Sequence, residues 1–205
     1  MTKQPLLIYL HGFNSSPDSH KAQITCQFVD QQRLDIDTWV PQLPNEPLSI
    51  QELLLDRLRL ETSKRPVHII GSSLGGFIGT WLSELIHEVY PSWPVRLVLI
   101  NPAVRPYEFF EAYLGWQTNY HTGEKWLLTH EHIQQFKNME VPVLSLHNQT
   151  LLLVQTGDEV LDYRKAVAKY AGADSVVQQG GNHQFEDYEK TLPYIFEFLA
   201  GHSLI

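Results

Sequence analysis

Six short apolar runs, each of strand length, alternate with longer amphipathic stretches along this 205-residue chain, and that rhythm restricts its fold more than any other feature. The runs are 6–10 (LLIYL), 36–40 (IDTWV), 67–71 (VHIIG), 95–100 (VRLVLI), 151–156 (LLLVQT) and 175–178 (SVVQ). Between them, apolar residues recur at helical spacing and predict helices at about 19–31, 48–61, 74–90, 162–171 and 187–199. A strand, a helix and another strand in succession make a parallel βαβ unit, because parallel neighbours need a crossover connection. Repeating that unit builds one mostly parallel sheet with helices on both faces, an α/β fold. With 43% hydrophobic residues the chain fills one core and is short for two, so residues 1–205 read as a single domain. Ser49 and Glu52 have the spacing of a capping box at the start of the second helix.

One tract breaks the rhythm. Residues 102–140 open with Pro102-Ala103-Val104-Arg105-Pro106 and carry Tyr107, Phe109, Phe110, Tyr113, Trp116, Tyr120, Trp126 and Phe136. We read about 104–138 as a cap-like, helical insert that leaves the fourth run at the carboxyl edge of the sheet. Residues 141–147 (VPVLSLH) fit either an additional strand or a linker.

The third run continues into the sharpest motif of the chain, VHIIGSSLGGFIG, a β-branched strand followed by Gly-x-Ser-x-Gly and the small-residue start of a helix. Such a turn lifts a serine hydroxyl clear of the sheet, where a base and a substrate carbonyl both reach it. Ser73 is therefore the candidate nucleophile, and Gly71 and Gly75 keep the turn free of Cβ atoms. A serine nucleophile needs a base, and the base needs a third group to orient it. His183, in GGNHQF after the last run, is the best placed of ten histidines; His68 lies inside a strand, and His202 and the rest lack comparable context. Asp158 follows the apolar run 151–156, at the strand tip where open α/β sheets keep their sites. Glu159 and Asp162 compete with it, Asp162 also suiting a helix cap.

The tetrahedral intermediate of acyl transfer carries a negative charge that backbone N–H groups must meet. Leu74, directly after the serine, offers one amide, and Phe13, in the loop YLHGFNSSPDS after the first run, offers the second. Gly12 is expected to adopt unusual backbone angles that aim the Phe13 amide. His11 reads as structural, and Asn14, Ser15 and Ser16 as caps of the following helix.

Composition narrows the partners. The net charge is −8, from 15 basic and 23 acidic residues without a basic cluster, which argues against nucleic acid. Cys26 is the only cysteine, set in an apolar helical stretch, so a buried thiol and a reducing compartment are expected. The apolar run at 6–10 is too short for a signal peptide or a membrane span, and the expected location is cytoplasmic. Glycines 71–76 have P-loop spacing, but Phe77 stands where the phosphate-binding lysine belongs.

The order Ser73, Asp158, His183, with HGF ahead of the nucleophile, resembles the α/β-hydrolase superfamily, and more narrowly the small bacterial YqiA/YcfP-type esterases. The resemblance runs through YLHGFNSSPDSHKA, IIGSSLGGFIGTWL, LVLINPAVRP, QTGDEVLDYR and GGNHQFEDYE. It implies a compact hydrolase fold with a six-stranded core in the order 2-1-3-4-5-6, and carboxylesterase or acyl-thioester hydrolase activity. The implied substrate is a small-molecule ester or an acyl-CoA-like thioester, with no metal or organic cofactor. An acyltransferase on the same fold and a catalytically idle binding protein are the alternatives. Dehalogenase and epoxide hydrolase chemistry needs a carboxylate where Ser73 stands. The aromatic residues of the insert either staple it to the body or line an apolar acyl pocket; Phe109, Phe110, Tyr113 and Trp116 are the candidates for the pocket.

Overall fold

A computed structural model describes residues 3–61 and 64–201. In chain order it holds β1 (Leu6–Leu10), α1 (His20–Gln31), β2 (Asp37–Trp39), α2 (Pro47–Arg59), β3 (Val67–Ser72), α3 (Leu74–Val89) and β4 (Val95–Ile100). The insert follows as α4 (Pro106–Phe110), β5 (Gly115–Thr118), β6 (Lys125–Leu128) and α5 (His130–Asn138). β7 (Thr150–Gln155), α6 (Tyr163–Lys169), β8 (Asp174–Gln178) and α7 (Tyr188–Leu199) complete the chain. The six long-range strands pair in parallel in the order β2-β1-β3-β4-β7-β8. Counted among the six apolar runs alone, that is 2-1-3-4-5-6, the expected order. Among the described residues, no helix is long and apolar enough to cross a membrane.

The period of two along each strand divides the core into two layers. Leu6, Ile8 and Leu10 of β1 face a cluster with Leu54 of α2, Ile78 and Leu82 of α3, and Phe136 of the insert. Leu7 and Tyr9 face the other way, onto Ala22 and Val29 of α1 and Leu192 and Ile195 of α7. All five β1 residues are at most 1% exposed, as expected of a strand covered on both faces. The strands run the same way, so every loop at their carboxyl ends lies along one edge. β1 and β3 are neighbours although the chain visits β2 between them, and at that reversal a small cavity lies between the loop after β1 and Leu74.

Several local expectations need correction. The capping box at Ser49 and Glu52 does not form: Pro47 takes the first helical position, Glu46 becomes the N-cap, and Ser49 Oγ donates to its carboxylate over 3.1 Å. A capping box does close α5, where the Thr129 N–H donates to His132 Nδ1 over 3.1 Å. Residues 141–147 form no strand, so they are a linker. Cys26 is half-buried, its thiol pushed up chiefly by desolvation. The insert is not wholly helical: between α4 and α5, β5 and β6 pair as an antiparallel hairpin with Trp116 opposite Leu127. His68 is buried in β3 as expected, and His202 lies outside the described residues.

Candidate active site

Ser73 joins β3 to α3 with φ 55° and ψ −120°, a conformation that non-glycine residues rarely adopt. The surroundings hold it there. Its N–H donates to Ile100 O over 3.1 Å, and its carbonyl accepts from Gly76 N at 3.0 Å and Ala103 N at 2.9 Å. The turn packs backbone against backbone: a Cβ at Gly75 would fall onto the Leu10 carbonyl, and one at Gly71 onto the carbonyl of Gly75. Glycine at both positions is therefore a steric requirement.

The hydroxyl this turn presents meets a histidine. Ser73 Oγ lies 3.1 Å from His183 Nε2, and His183 Nδ1 lies 2.9 and 3.0 Å from the two carboxylate oxygens of Asp158. An ionised carboxylate only accepts, so the hydrogen-bond network assigns the proton to Nδ1 and leaves Nε2 as the acceptor facing the serine. The Asp158 side chain is 2% exposed and that of His183 16%. Asp158 Oδ1 also accepts from the Val160 and Leu161 amides at 2.9 and 2.8 Å, which fixes the carboxylate to its own loop. The competing acids go elsewhere. Glu159 accepts from the His183 backbone N–H at 3.0 Å, and Asp162 caps α6 through Arg164 N at 3.0 Å.

The loop after β1 closes on the same serine. A Cβ at Gly12 would stand 3.4 Å from Ser73 Cβ and 3.7 Å from its Oγ, so glycine keeps the space above the hydroxyl open. Gly12 is not a residue of positive φ; the left-handed turn falls at Asn14, φ 52°. Leu74 is the first residue of α3, so its N–H has no acceptor within the helix. His11, 3% exposed, accepts the Leu43 N–H at Nε2 over 3.1 Å and therefore donates from Nδ1 to Gly12 O over 2.9 Å. Burial lowers its pKa and favours the neutral ring that this double role needs.

His183 Nε2 thus stands within hydrogen-bond reach of the Ser73 hydroxyl, the geometry that proton transfer between them requires. The sequence model of the uncharacterised protein family UPF0227 matches residues 6–200. The chain belongs to that family. Among solved structures, Est1E from Butyrivibrio proteoclasticus matches with a TM-score of 0.74 and 15% identity, covering 98% of this chain and 89% of its own. Alpha/beta hydrolase domain-containing protein 10 from mouse matches with a TM-score of 0.71 and 17% identity, over 98% and 92% of the two chains. A methylesterase from Arabidopsis, MES16, gives 0.64 and 10% identity over 96% and 99%. At such identities the likeness is one of fold, and the UPF0227 chain has the α/β-hydrolase fold.

The insert of the UPF0227 chain reaches the loop after β1 rather than the serine directly. Trp126 Nε1 donates to Asn14 Oδ1 over 2.8 Å, and Tyr120 N donates to Asn14 O over 2.8 Å. Asn119 Nδ2 donates to Ser15 O over 2.8 Å. Asn14 and Ser15 thus anchor the hairpin instead of capping α1, whose N-cap is Ser19; Ser16 Oγ accepts the Asp18 N–H in the turn before it. Phe110 is buried, its ring centroid 4.8 Å from Phe13 and 5.2 Å from Phe136. Phe109 lines a groove of about 380 Å³ between α4 and α6, with Pro102, Val104, Leu161 and Lys165. Tyr113 and Trp116 are 54% and 74% exposed and line neither this groove nor the small cavity beside Phe13 and Leu74.

Three side chains that the sequence does not single out tie down the segment bearing His183. They are Lys21, Asn101 and Gln155. The signal for Asn101 and Gln155 is weak but present: each is a polar residue at the carboxyl end of an apolar strand. For Lys21 the sequence carries none, since a lysine in the first turn of a helix reads as solvated.

Proposed function

We propose that this chain is a serine hydrolase that cleaves carboxylic esters or acyl thioesters through an acyl-enzyme on Ser73. The observation that carries this reading is the unbroken hydrogen-bond path from Ser73 Oγ through both nitrogens of His183 to the Asp158 carboxylate. In the first half-reaction Ser73 Oγ attacks the acyl carbonyl while its proton passes to His183 Nε2. Asp158 keeps the Nδ1 proton in place and stabilises the imidazolium. The Leu74 and Phe13 amides meet the oxyanion, and collapse of the tetrahedral intermediate expels the alcohol or thiol, which takes the proton from Nε2. In the second half-reaction His183 takes a proton from water, the hydroxide attacks the acyl carbon, and Ser73 leaves with the proton restored.

The substrate class rests on the fold and on the space beside the site. Est1E has been solved with ferulic acid bound, and the Arabidopsis relative is a methylesterase, so small esters are within the scope of this architecture. The groove lined by Phe109 begins at Leu161, whose amide holds Asp158, and at Pro102, beside the Ala103 amide that holds the Ser73 carbonyl. It is the space we assign to the larger part of the substrate. Phe110, packed on Phe13, shapes the wall beside the oxyanion loop. We place the enzyme in the cytoplasm, in keeping with its lone cysteine.

A panel of p-nitrophenyl esters and acyl-CoA thioesters of graded acyl length tests the class. Each methylene buried in an apolar wall contributes about 0.8 kcal/mol, so kcat/KM should climb about fourfold per carbon until the space is full. Phe109→Ala should move that limit. Equal scaling of every substrate by Phe109→Ala would remove the groove from the substrate path, and the absence of turnover across the panel would contradict hydrolase activity.

A further inference from the structure

The segment 182–186 has no helix or strand to stiffen it, yet His183 must keep two sets of hydrogen bonds at once. Besides Glu159, which accepts the His183 N–H, side chains from three other parts of the fold hold its backbone. Asn101 Nδ2 donates to Asn182 O at 3.0 Å and to His183 O at 3.3 Å. Gln155 Oε1 accepts from the Asn182 and Glu186 amides at 3.1 and 2.9 Å, and its Nε2 donates to Glu186 O at 2.9 Å. Lys21, from the first turn of α1, donates from Nζ to Gln184 O at 2.8 Å.

Two of these are neutral amides meeting ordinary backbone needs. Lys21 is different, because it is a cation only 9% exposed whose hydrogen-bond acceptor is a neutral carbonyl. Among the described residues no carboxylate lies within salt-bridge distance of it. An ammonium taken out of water costs several kcal/mol unless something compensates. Burial pulls the Lys21 pKa down to about 8, and Asp158 acts against that fall, so the two charges feel each other through the protein. A lysine buried under these conditions touches the loop that carries the His183 ring, through Gln184 O.

We infer that Lys21 is a positioning residue for the reaction, fixing the His183 segment through its hydrogen bond to Gln184 O. The inference rests on the reading of His183 as the base. Lys21 touches no reacting atom, and its effect passes through the angle and reach of the imidazole. A small misplacement of a base is enough, since an error of about 1 Å lowers turnover by up to roughly a hundredfold.

The test is steady-state hydrolysis of a p-nitrophenyl ester by the full chain, with competent sites counted by end-point fluorophosphonate labelling. Lys21→Met keeps the length and removes donor and charge; its kcat per labelled site should fall about ten- to a hundredfold with KM little changed. Lys21→Arg, which keeps both, should restore most of that loss. Unchanged kcat per site in Lys21→Met, with only a lower melting temperature, would overturn the inference, and so would a Lys21→Arg enzyme as slow as Lys21→Met. If Lys21→Met does not fold, Lys21→Leu, which likewise lacks donor and charge, gives the same comparison, and a wild-type kcat per site there is again contrary. Ser73→Ala and His183→Ala separate the two levels. If they keep turnover, the hydrolase reading itself fails; if they lose it while Lys21→Met does not, only the role of Lys21 falls.

Discussion

Three carboxylates within five residues, Asp158, Glu159 and Asp162, show what a side chain's surroundings do to its role. Only Asp158 faces the His183 ring. Asp158→Asn should lower turnover by roughly 10⁴, because an amide no longer fixes the Nδ1–H tautomer. Asp162→Asn should leave turnover and stability almost unchanged, since asparagine caps a helix about as well as aspartate. Steady-state rates and melting curves of the two variants check both expectations, and the opposite ranking would transfer the orienting role. Gly12→Ala would bring a methyl group to 3.7 Å from Ser73 Oγ, into space an acyl carbonyl needs, so kcat/KM should drop with little change in melting temperature. His68 bears on stability instead. It is 6% exposed, its Nδ1 has no partner among the described residues, and burial lowers its pKa to about 4, with Arg96 adding to the effect. The unfolded chain takes up that proton near pH 6.5 and the folded one only near pH 4, so stability is full above about 6.5 and is lost as pH falls between those values. The loss amounts to on the order of 3 kcal/mol. Urea titrations at pH 7 and pH 5 should show about 2 kcal/mol of it, and His68→Phe should flatten the difference. Ser73, Asp158 and His183, which the structure brings together, were legible at this scale because the chemistry proposed for them demands particular residue types at strand ends. Lys21 was not, because nothing in the sequence distinguishes a buried lysine from a solvated one.

At the scale of elements, long periodic segments read correctly and short or irregular ones did not. The five main helices and the core strands follow from periodicity alone, with ends shifted by a residue or two. The β5–β6 hairpin escaped because its strands have four residues each and a six-residue connection, not the two-residue turn that marks a hairpin in sequence. On β6 only Trp126 and Leu128 are buried, too short an alternation to stand out. The box at Ser49 failed for a neighbouring reason: Pro47 fixes the helix start and overrules the Ser-x-x-Glu spacing. The hairpin matters because it anchors the loop after β1, to which we assign an oxyanion amide. Trp126→Phe keeps the ring but leaves the buried Asn14 Oδ1 without its donor, which should cost about 1–3 kcal/mol. If the hairpin stiffens the Phe13 amide, kcat should fall as well. A stability loss with kcat unchanged would make the insert a staple and nothing more.

Across the whole molecule, parallel strand order brings residues 73, 158 and 183 to one edge although they are far apart in the chain. The order 2-1-3-4-5-6 was expected from the resemblance that the motifs carry, and the parallel strands place the tips of β3, β7 and β8 on the same side. What the rhythm does not carry is the packing between layers: which side chain of α1 reaches the His183 segment, and how the insert folds over the loop after β1. Those contacts join residues more than a hundred positions apart, as in Lys21 to Gln184 and Asn14 to Trp126. The central claim is that the whole edge converges on one activated hydroxyl. The most direct measurement is mass spectrometry of the protein after reaction with a fluorophosphonate, paired with ester turnover of Ser73→Ala. A serine nucleophile gives one adduct per chain, on the peptide containing Ser73, and a loss of roughly 10⁴ to 10⁶ in turnover for Ser73→Ala. An adduct on another residue, or a Ser73→Ala protein that keeps more than about a tenth of wild-type turnover, would contradict it.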